Sequence, residues 1–132
     1  MKEIKDVTLF VQAALNDERK HNKDLDLLIK DFKRYKAGNR VNCFGKDVPY
    51  HKPSPMAENA GIKHVHILDR VKYLSLGSGN TSDSVIVYTE GATSVNTYYI
   101  IDFIADGAHE KGRDKDYIEW VIQKAEDFRG VK

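Results

Sequence analysis

The chain contains little cysteine and has no long hydrophobic run. Its single cysteine, Cys43, excludes an intramolecular disulfide and gives no support to an oxidising compartment, so we interpret it as a small half-buried side chain. No apolar stretch approaches the roughly 20 residues that a membrane helix requires, and the start of the chain lacks the apolar core of a signal peptide. We therefore expect a cytoplasmic protein that does not bind membranes.

Positive charge is absent from one long part of the sequence. No lysine or arginine occurs from Tyr73 to Glu110, where five acidic residues give a net charge of −5. The segment from Arg19 to Lys72 instead has 13 basic and six acidic residues, although the whole chain sums to only +1. This asymmetry fits a cationic face that binds phosphates, and it equally fits ordinary solvated surfaces. With 132 residues, 41% of them apolar, the chain fits one globular domain spanning residues 1–132.

Hydrophobic periodicity in the first half of the chain predicts a strand, a helix and a long loop. A β-branched run over Val7–Val11 predicts the strand, or alternatively the start of a helix that continues to Leu15. Apolar residues at three- and four-residue steps predict an amphipathic helix from Leu25 to Tyr35. Three prolines and two glycines then indicate a loop over Asn39–Lys63, which we interpret as part of a site wall.

The second half of the chain predicts three strands and a final helix. The strands are His64–Leu68, Val85–Thr89 and Tyr98–Ile104, and the turns between them imply an antiparallel meander. After a loop over Ala105–Arg113, an apolar stripe predicts a last helix that an aspartate caps. The expected fold is α+β: a small antiparallel sheet built from strand, helix, long loop and three-stranded meander, with the helices packed on one face.

Three histidines and an arginine stand where RNA cleavage without a metal needs them. His64 and His66 alternate along one predicted strand, so their side chains share a face roughly 7 Å apart. His109 follows the last strand, four residues before Arg113. Near neutral pH, imidazole supplies a base for the 2′-hydroxyl and an acid for the leaving 5′-oxygen, while guanidinium stabilises the phosphate charge. We therefore predict an endoribonuclease in which these four residues are catalytic.

The same residue types also have structural interpretations. A histidine within a strand is commonly a hydrogen-bonded structural residue, and this alternative stays open for each of the three. The His-x-His spacing suits a pair of metal ligands, but no cysteine partner or glutamate cluster completes such a site, so we expect no metal and no cofactor. Asp102 lies within an apolar strand, where we expect it to pair with a cation or to lie at a sheet edge.

A series of motifs, in the right order, resembles the YafO toxins of bacterial toxin-antitoxin pairs. The likeness extends from Leu28 to Arg129. Its motifs are Asp31–Lys36, Phe44–Asp47 with Tyr50, His64–Ile67, Val87–Gly91, His109, Arg113, Asp114 and Glu126–Arg129.

The resemblance implies a fold of the RelE/ParE toxin superfamily and an mRNA interferase that acts with the ribosome. A cognate antitoxin would then hold the toxin in check, and the partners would be mRNA, ribosome and antitoxin. The attacking nucleophile would be the 2′-hydroxyl of the RNA, leaving a 2′,3′-cyclic phosphate or its opened form and a 5′-hydroxyl. The toxin alone would not act on DNA, which lacks that hydroxyl.

The resemblance also suggests residues that hold the substrate. Lys46, Asp47 and Tyr50 match a Phe-Gly-basic-Asp motif and would shape the loop or hold the RNA backbone, although Asp47 could instead cap a turn. Lys33 and Arg34 lie on the outward face of the predicted helix, either as phosphate contacts or as a solvated surface. Two other functions stay open: a non-catalytic module that binds antitoxin or RNA, and a ribosome-independent RNase toxin domain.

Overall fold

The described residues form a five-stranded sheet. The computed structural model describes residues 4–50, 56–68, 73 and 84–132, and for His109 the backbone alone. The strands are β1 (Thr8–Val11), β2 (Phe44–Pro49), β3 (Ile62–Ile67), β4 (Val85–Glu90) and β5 (Thr97–Ile104). Their spatial order is β1-β5-β4-β3-β2. Because β1 runs parallel to β5 while the other neighbours are antiparallel, the sheet is mixed, and the prediction of an antiparallel sheet is wrong for β1.

Helices precede, separate and follow these strands. They are α1 (Ala13–Glu18), α2 (Lys23–Lys36), α3 (Met56–Asn59), α4 (Ala108–Arg113) and α5 (Lys115–Val131). Asn22 caps α2 by accepting a hydrogen bond from the Leu25 backbone N–H (3.1 Å), and Asp114 caps α5 in the same way. The predicted α+β class is confirmed, as are the first strand, the amphipathic helix, the three-stranded meander β3-β4-β5 and the last helix.

Helices cover both faces of the sheet, so the prediction that they pack on one face is wrong. On one side α2 buries Phe32 against Tyr88 of β4, with ring centroids 4.9 Å apart. On the other side Val121 of α5 packs in a cluster with Val85 and Val87 of β4. Successive strand residues point to opposite faces, and the first five residues of β4 are all buried, which requires a cover on each side. We call these surfaces the α2 face and the α5 face.

The segment predicted as one long loop, Asn39–Lys63, contains β2, α3 and the start of β3, so this prediction is wrong for those parts. Residues 51–55 within it lie outside the described residues. The strand was hidden because Gly45 and Pro49 are unfavourable in regular strands. Pro49 is accommodated at the last position of β2, an edge strand, where the missing N–H disrupts little of the ladder.

Candidate active site

An open cleft lies on the α5 face, over β2 and β3, with α4 as one wall. Its volume is about 490 Å³. Its lining residues are Lys46, Val48, Pro49, Tyr50, His64, His66, Val85, Ala108, Gly112 and Arg113. The fold therefore brings five of the nine residues predicted for catalysis or substrate binding into one concave surface.

The two strand histidines meet in this cleft because β3 alternates between the faces. Val65 and Ile67 are fully buried on the α2 face, which leaves His64 and His66 on the α5 face. The two imidazole centroids are 5.1 Å apart and the rings are inclined by 61°. Tyr50 stacks on His64 with 4.1 Å between centroids and 28° between planes. The predicted placement of both imidazoles on one face is confirmed.

Arg113 reaches the cleft from α4, a helix that occupies part of the loop predicted over Ala105–Arg113. That prediction is wrong because α4 is a single short stretch whose Gly112 lowers the helical signal. A Cβ at Gly112 would lie 3.6 Å from Tyr50, so the helix backbone packs close to the aromatic wall of the cleft. His109 lies in the same helix, one turn before Arg113, and only its backbone is described.

A β-bulge decides which residues of β2 enter the cleft. From Phe44 to Asp47 the chain advances three residues, while the paired segment of β3 advances only two. Both residues therefore point to the α2 face, although an odd spacing in a regular strand would separate them. A Cβ on Gly45 would lie 2.7 Å from Leu68, so glycine permits the close approach at the bulge. The result is that Lys46 lines the cleft while Asp47 turns away from it.

Asp47 binds α2 and β4 on the side of the sheet opposite the cleft. Its Oδ2 accepts hydrogen bonds from Tyr35 Oη (2.8 Å) and Lys36 Nζ (2.9 Å), and its Oδ1 accepts one from Tyr88 Oη (2.5 Å). Burial alone raises the pKa of Asp47, but the donors Tyr88, Lys36 and Tyr35 outweigh it and leave that pKa below its usual value. Burial lowers the pKa of Lys36, and the bonded carboxylate opposes that shift.

Lys33 and Arg34 also lie on α2, with the sheet between them and the cleft. Both side chains are exposed, and the Arg34 guanidinium pairs with the buried Asp31 at 2.9 Å. The second oxygen of Asp31 accepts a hydrogen bond from Tyr73 at 2.6 Å. These two cations therefore cannot share a bound phosphate with the histidines.

A half-buried acid and phenol on the α5 face form a pair that the sequence did not predict. Asp102 Oδ2 accepts a hydrogen bond from Tyr117 Oη at 2.7 Å, and its Oδ1 accepts one from the Phe103 N–H at 2.9 Å. Burial raises the pKa of Asp102, while Tyr117, Phe103 and the nearby Lys111 oppose that rise. Among the described strands, β1 pairs with β5 only from Thr97 to Ile100, so at Asp102 β5 is paired with β4 alone, which agrees with the expected position at a sheet edge. The only sequence signal was an aspartate inside an apolar strand.

A family model described as Toxin YafO, type II toxin-antitoxin system, matches residues 33–130. The chain belongs to the YafO toxin family. Membership of a type II system implies a cognate antitoxin as partner. Neither a curated protein nor a solved structure was found to match the chain.

The described residues of this YafO-family toxin contain neither a membrane-spanning helix nor a cluster of metal ligands. No helix in residues 4–50, 56–68 and 84–132 combines the length and apolar character needed to cross a bilayer. The same residues hold no group of three or more histidine, cysteine, aspartate or glutamate side chains suited to a metal ion.

The C-terminal motif of this YafO-family toxin, Glu126–Arg129, packs the end of α5 against the sheet. Phe128 stacks on Tyr99 of β5 at 4.9 Å between centroids and meets Phe10 of β1 edge-on at 5.7 Å. The Arg129 guanidinium occupies the space beside Gly61, where a Cβ would lie 2.0 Å from Nη1 and where φ is +70°. These contacts place Phe128 and Arg129 at the opposite end of α5 from Arg113, in a structural rather than a catalytic position.

Proposed function

We propose that this YafO-family toxin is a ribosome-dependent endoribonuclease that cleaves translated mRNA and so inhibits translation. The observation that carries the proposal is the convergence of His64, His66 and Arg113 on one open cleft. The two imidazoles come from β3 and the guanidinium from α4, about 50 residues later in the chain. Such a set of groups matches the needs of RNA cleavage by the RNA's own 2′-hydroxyl.

In the proposed reaction one imidazole removes the proton of the 2′-hydroxyl, and the 2′-oxygen forms a bond to phosphorus. The bond from phosphorus to the 5′-oxygen breaks, and the second imidazole donates a proton to that leaving oxygen. A spacing of 5.1 Å between ring centroids lets His64 and His66 reach two oxygens of one phosphodiester. The products are a 2′,3′-cyclic phosphate, or its opened form, and a 5′-hydroxyl.

Cations in the cleft would stabilise the charge that builds up on the phosphate. We assign this role to Arg113, with Lys46 on the opposite wall and Tyr50 holding the RNA beside His64. We also assign His109 to the reacting phosphate because it lies one helical turn from Arg113. Any RNA contact made by Lys33 or Arg34 is separate from this cleft.

The remaining parts of the proposal follow from family membership. We propose a fold related to RelE and ParE toxins, action in the cytoplasm on ribosomes, and inhibition by the cognate antitoxin. Because every proposed catalytic group is a protein side chain, the reaction needs neither a metal nor a cofactor.

The test is cleavage of a defined mRNA in a reconstituted translation complex that keeps the Mg²⁺ the ribosome needs, with product ends mapped. We expect cuts only when ribosomes are present, and loss of cutting in His66→Ala and Arg113→Ala variants. Lys33→Ala is the matched control, since it removes a cation from the other side of the sheet. Cutting of naked RNA at the same rate would support a ribosome-independent RNase instead. Intact mRNA combined with antitoxin binding would support a non-catalytic module.

A further inference from the structure

We propose that Lys36 and Asp47 are positioning residues that act through β2 to keep Lys46 in the cleft. This inference rests on the proposed nuclease function, because its readout is the reaction in that cleft. Neither residue lines the cleft. Their effect on cleavage would therefore be indirect, through the strand to which Asp47 belongs.

The two charges form the centre of a cluster beneath the cleft, on the α2 face. Their side chains are only 14% and 17% exposed, and they are joined by the 2.9 Å ion pair. Lys36 Nζ also donates to Tyr88 Oη at 2.6 Å and lies 4.5 Å from the centre of that ring. The rings of Tyr35 and Tyr98 complete the surroundings at 5.1 and 5.3 Å. Asp47 accepts hydrogen bonds from α2 and β4, and its partner Lys36 lies among rings of α2, β4 and β5, so Asp47 has one well-defined position.

The position of Asp47 matters because β2 has two ways to present its charged residues. Side chains alternate along a strand, so a shift of one residue exchanges the faces. In the shifted register Asp47 would enter the cleft and Lys46 would enter the aromatic cluster. A carboxylate would then stand where the phosphate binds, and repulsion would replace attraction.

The local sequence allows both arrangements, which is why an additional contact is needed to choose between them. Gly45 permits the bulge by letting Leu68 approach, but a glycine does not itself fix which residue faces which side. Among the described strands, β2 lies at the edge of the sheet and has β3 as its one hydrogen-bonded neighbour. The ion pair to Lys36 and the bond from Tyr88 supply the missing restraint from the other face.

A kinetic cycle with Lys46 distinguishes positioning from simple stabilisation. We measure single-turnover cleavage on translating ribosomes for Lys46→Ala, Asp47→Asn and the double variant, at a temperature where each is folded by circular dichroism. Lys46→Ala should slow the chemical step roughly tenfold or more. If Asp47 acts through Lys46, Asp47→Asn slows it to a similar extent and the double variant is no slower than Lys46→Ala.

Asp31→Asn is the matched control, because Asp31 is a buried carboxylate that also bonds a tyrosine and a cation of α2. It should lose thermal stability yet keep the wild-type rate of cleavage. If Asp47→Asn does not fold, Tyr88→Phe replaces it, since it deletes one hydroxyl that bonds both Lys36 and Asp47. The expected result is then a smaller loss of rate that again vanishes in the Lys46→Ala background.

The outcomes that overturn the inference differ from those that overturn the proposed function. Rate losses that multiply in the double variant show that Asp47 does not act through Lys46. An unchanged rate for a folded Asp47→Asn, together with a large loss in His66→Ala, rejects the positioning role alone. Unchanged rates in Lys46→Ala, His66→Ala and Arg113→Ala together reject the nuclease cleft itself.

Discussion

Two half-buried aspartates on opposite faces of the sheet have pKa values shifted in opposite directions. Asp47, on the α2 face, is bound by two phenols and an ammonium, and its pKa lies below the usual value although burial opposes this. Asp102, on the α5 face, is bound by one phenol and one backbone N–H, and burial raises its pKa. Burial raises the pKa of both carboxyls, so the comparison teaches that the combined donors of Asp47, which are Tyr88, Lys36 and Tyr35, reverse the direction of the shift, while those of Asp102 do not.

We propose that the two faces also differ in function. On the α2 face, Lys36 and Asp47 neutralise each other between the helix and the sheet. On the α5 face, Arg113 and Lys46 border an open cleft together with the two imidazoles. We interpret the α2 face as the fixed support of the sheet and the α5 face as the reactive surface.

The largest expected effect is a difference between the faces in catalysis. His66→Ala and Arg113→Ala should each lower the rate of mRNA cleavage by about 100-fold or more, since each removes a proton-transfer or charge-stabilising group. Lys33→Ala, on the α2 face, should leave the chemical step close to wild type. Cleavage kinetics on translating ribosomes measure both. Equal losses of cleavage rate in the variants of the two faces would contradict the difference between them.

The next effect is on stability. Asp47→Asn should lower the free energy of unfolding by about 2 kcal/mol, because it leaves the ammonium of Lys36 buried without its counter-charge. Urea unfolding followed by circular dichroism checks this value. The double variant Lys36→Met/Asp47→Leu should recover part of the loss, since no buried charge is left unpaired. An unchanged unfolding midpoint in Asp47→Asn would contradict the account.

A smaller effect is expected at the other aspartate. Asp102→Asn removes a charge that burial disfavours, which stabilises the fold. It also leaves one oxygen for two donors, Tyr117 Oη and the Phe103 N–H, which destabilises the fold, so the two contributions oppose each other. The free energy of unfolding at pH 7 should change by less than about 1 kcal/mol. The same urea experiment measures it. A loss as large as that in Asp47→Asn would show that the charge of Asp102 is required.

The smallest expected effect is on how folding stability depends on pH, where the two aspartates should differ in sign. A lowered pKa means that Asp47 stabilises the folded state above its unfolded value of 3.8, and this contribution disappears as the pH falls below 3.8 through the folded pKa. A raised pKa means that ionisation of Asp102 destabilises the folded state as the pH rises above 3.8. The stability difference between wild type and Asp47→Asn should therefore shrink on acidification.

The wild type should instead lose stability relative to Asp102→Asn as the pH rises above 3.8. Thermal unfolding between about pH 2 and pH 7 compares the two difference curves. Curves with the same slope would contradict the assignment of opposite pKa shifts.

The sequence predicted what depends on local periodicity and missed what depends on a single inserted residue. Alternation along β3 placed His64 and His66 on one face, as observed. The same reasoning could not reveal that a bulge turns Asp47 away from Lys46's side of the sheet, because a bulge breaks the period on which the inference depends.

Long-range packing was equally hidden. No local sequence pattern indicates which face of the sheet each helix covers. The sequence alone therefore predicts α2 and α5 on the same side, which is wrong. The apolar character of β4 on both faces was the signal that two covers were needed. The bond between Asp102 and Tyr117 joins a strand to a helix and has no local pattern from which to predict it.

The most direct test of the proposed function replaces one oxygen atom of the substrate. Wild-type toxin is incubated with translating ribosomes, on mRNA that carries a single 2′-deoxynucleotide at the mapped cleavage position. We predict that this substitution abolishes cutting at that position, while unmodified mRNA yields a 2′,3′-cyclic phosphate or its opened form and a 5′-hydroxyl. Continued cutting at the deoxynucleotide would contradict attack by the 2′-hydroxyl and the roles assigned to His64 and His66.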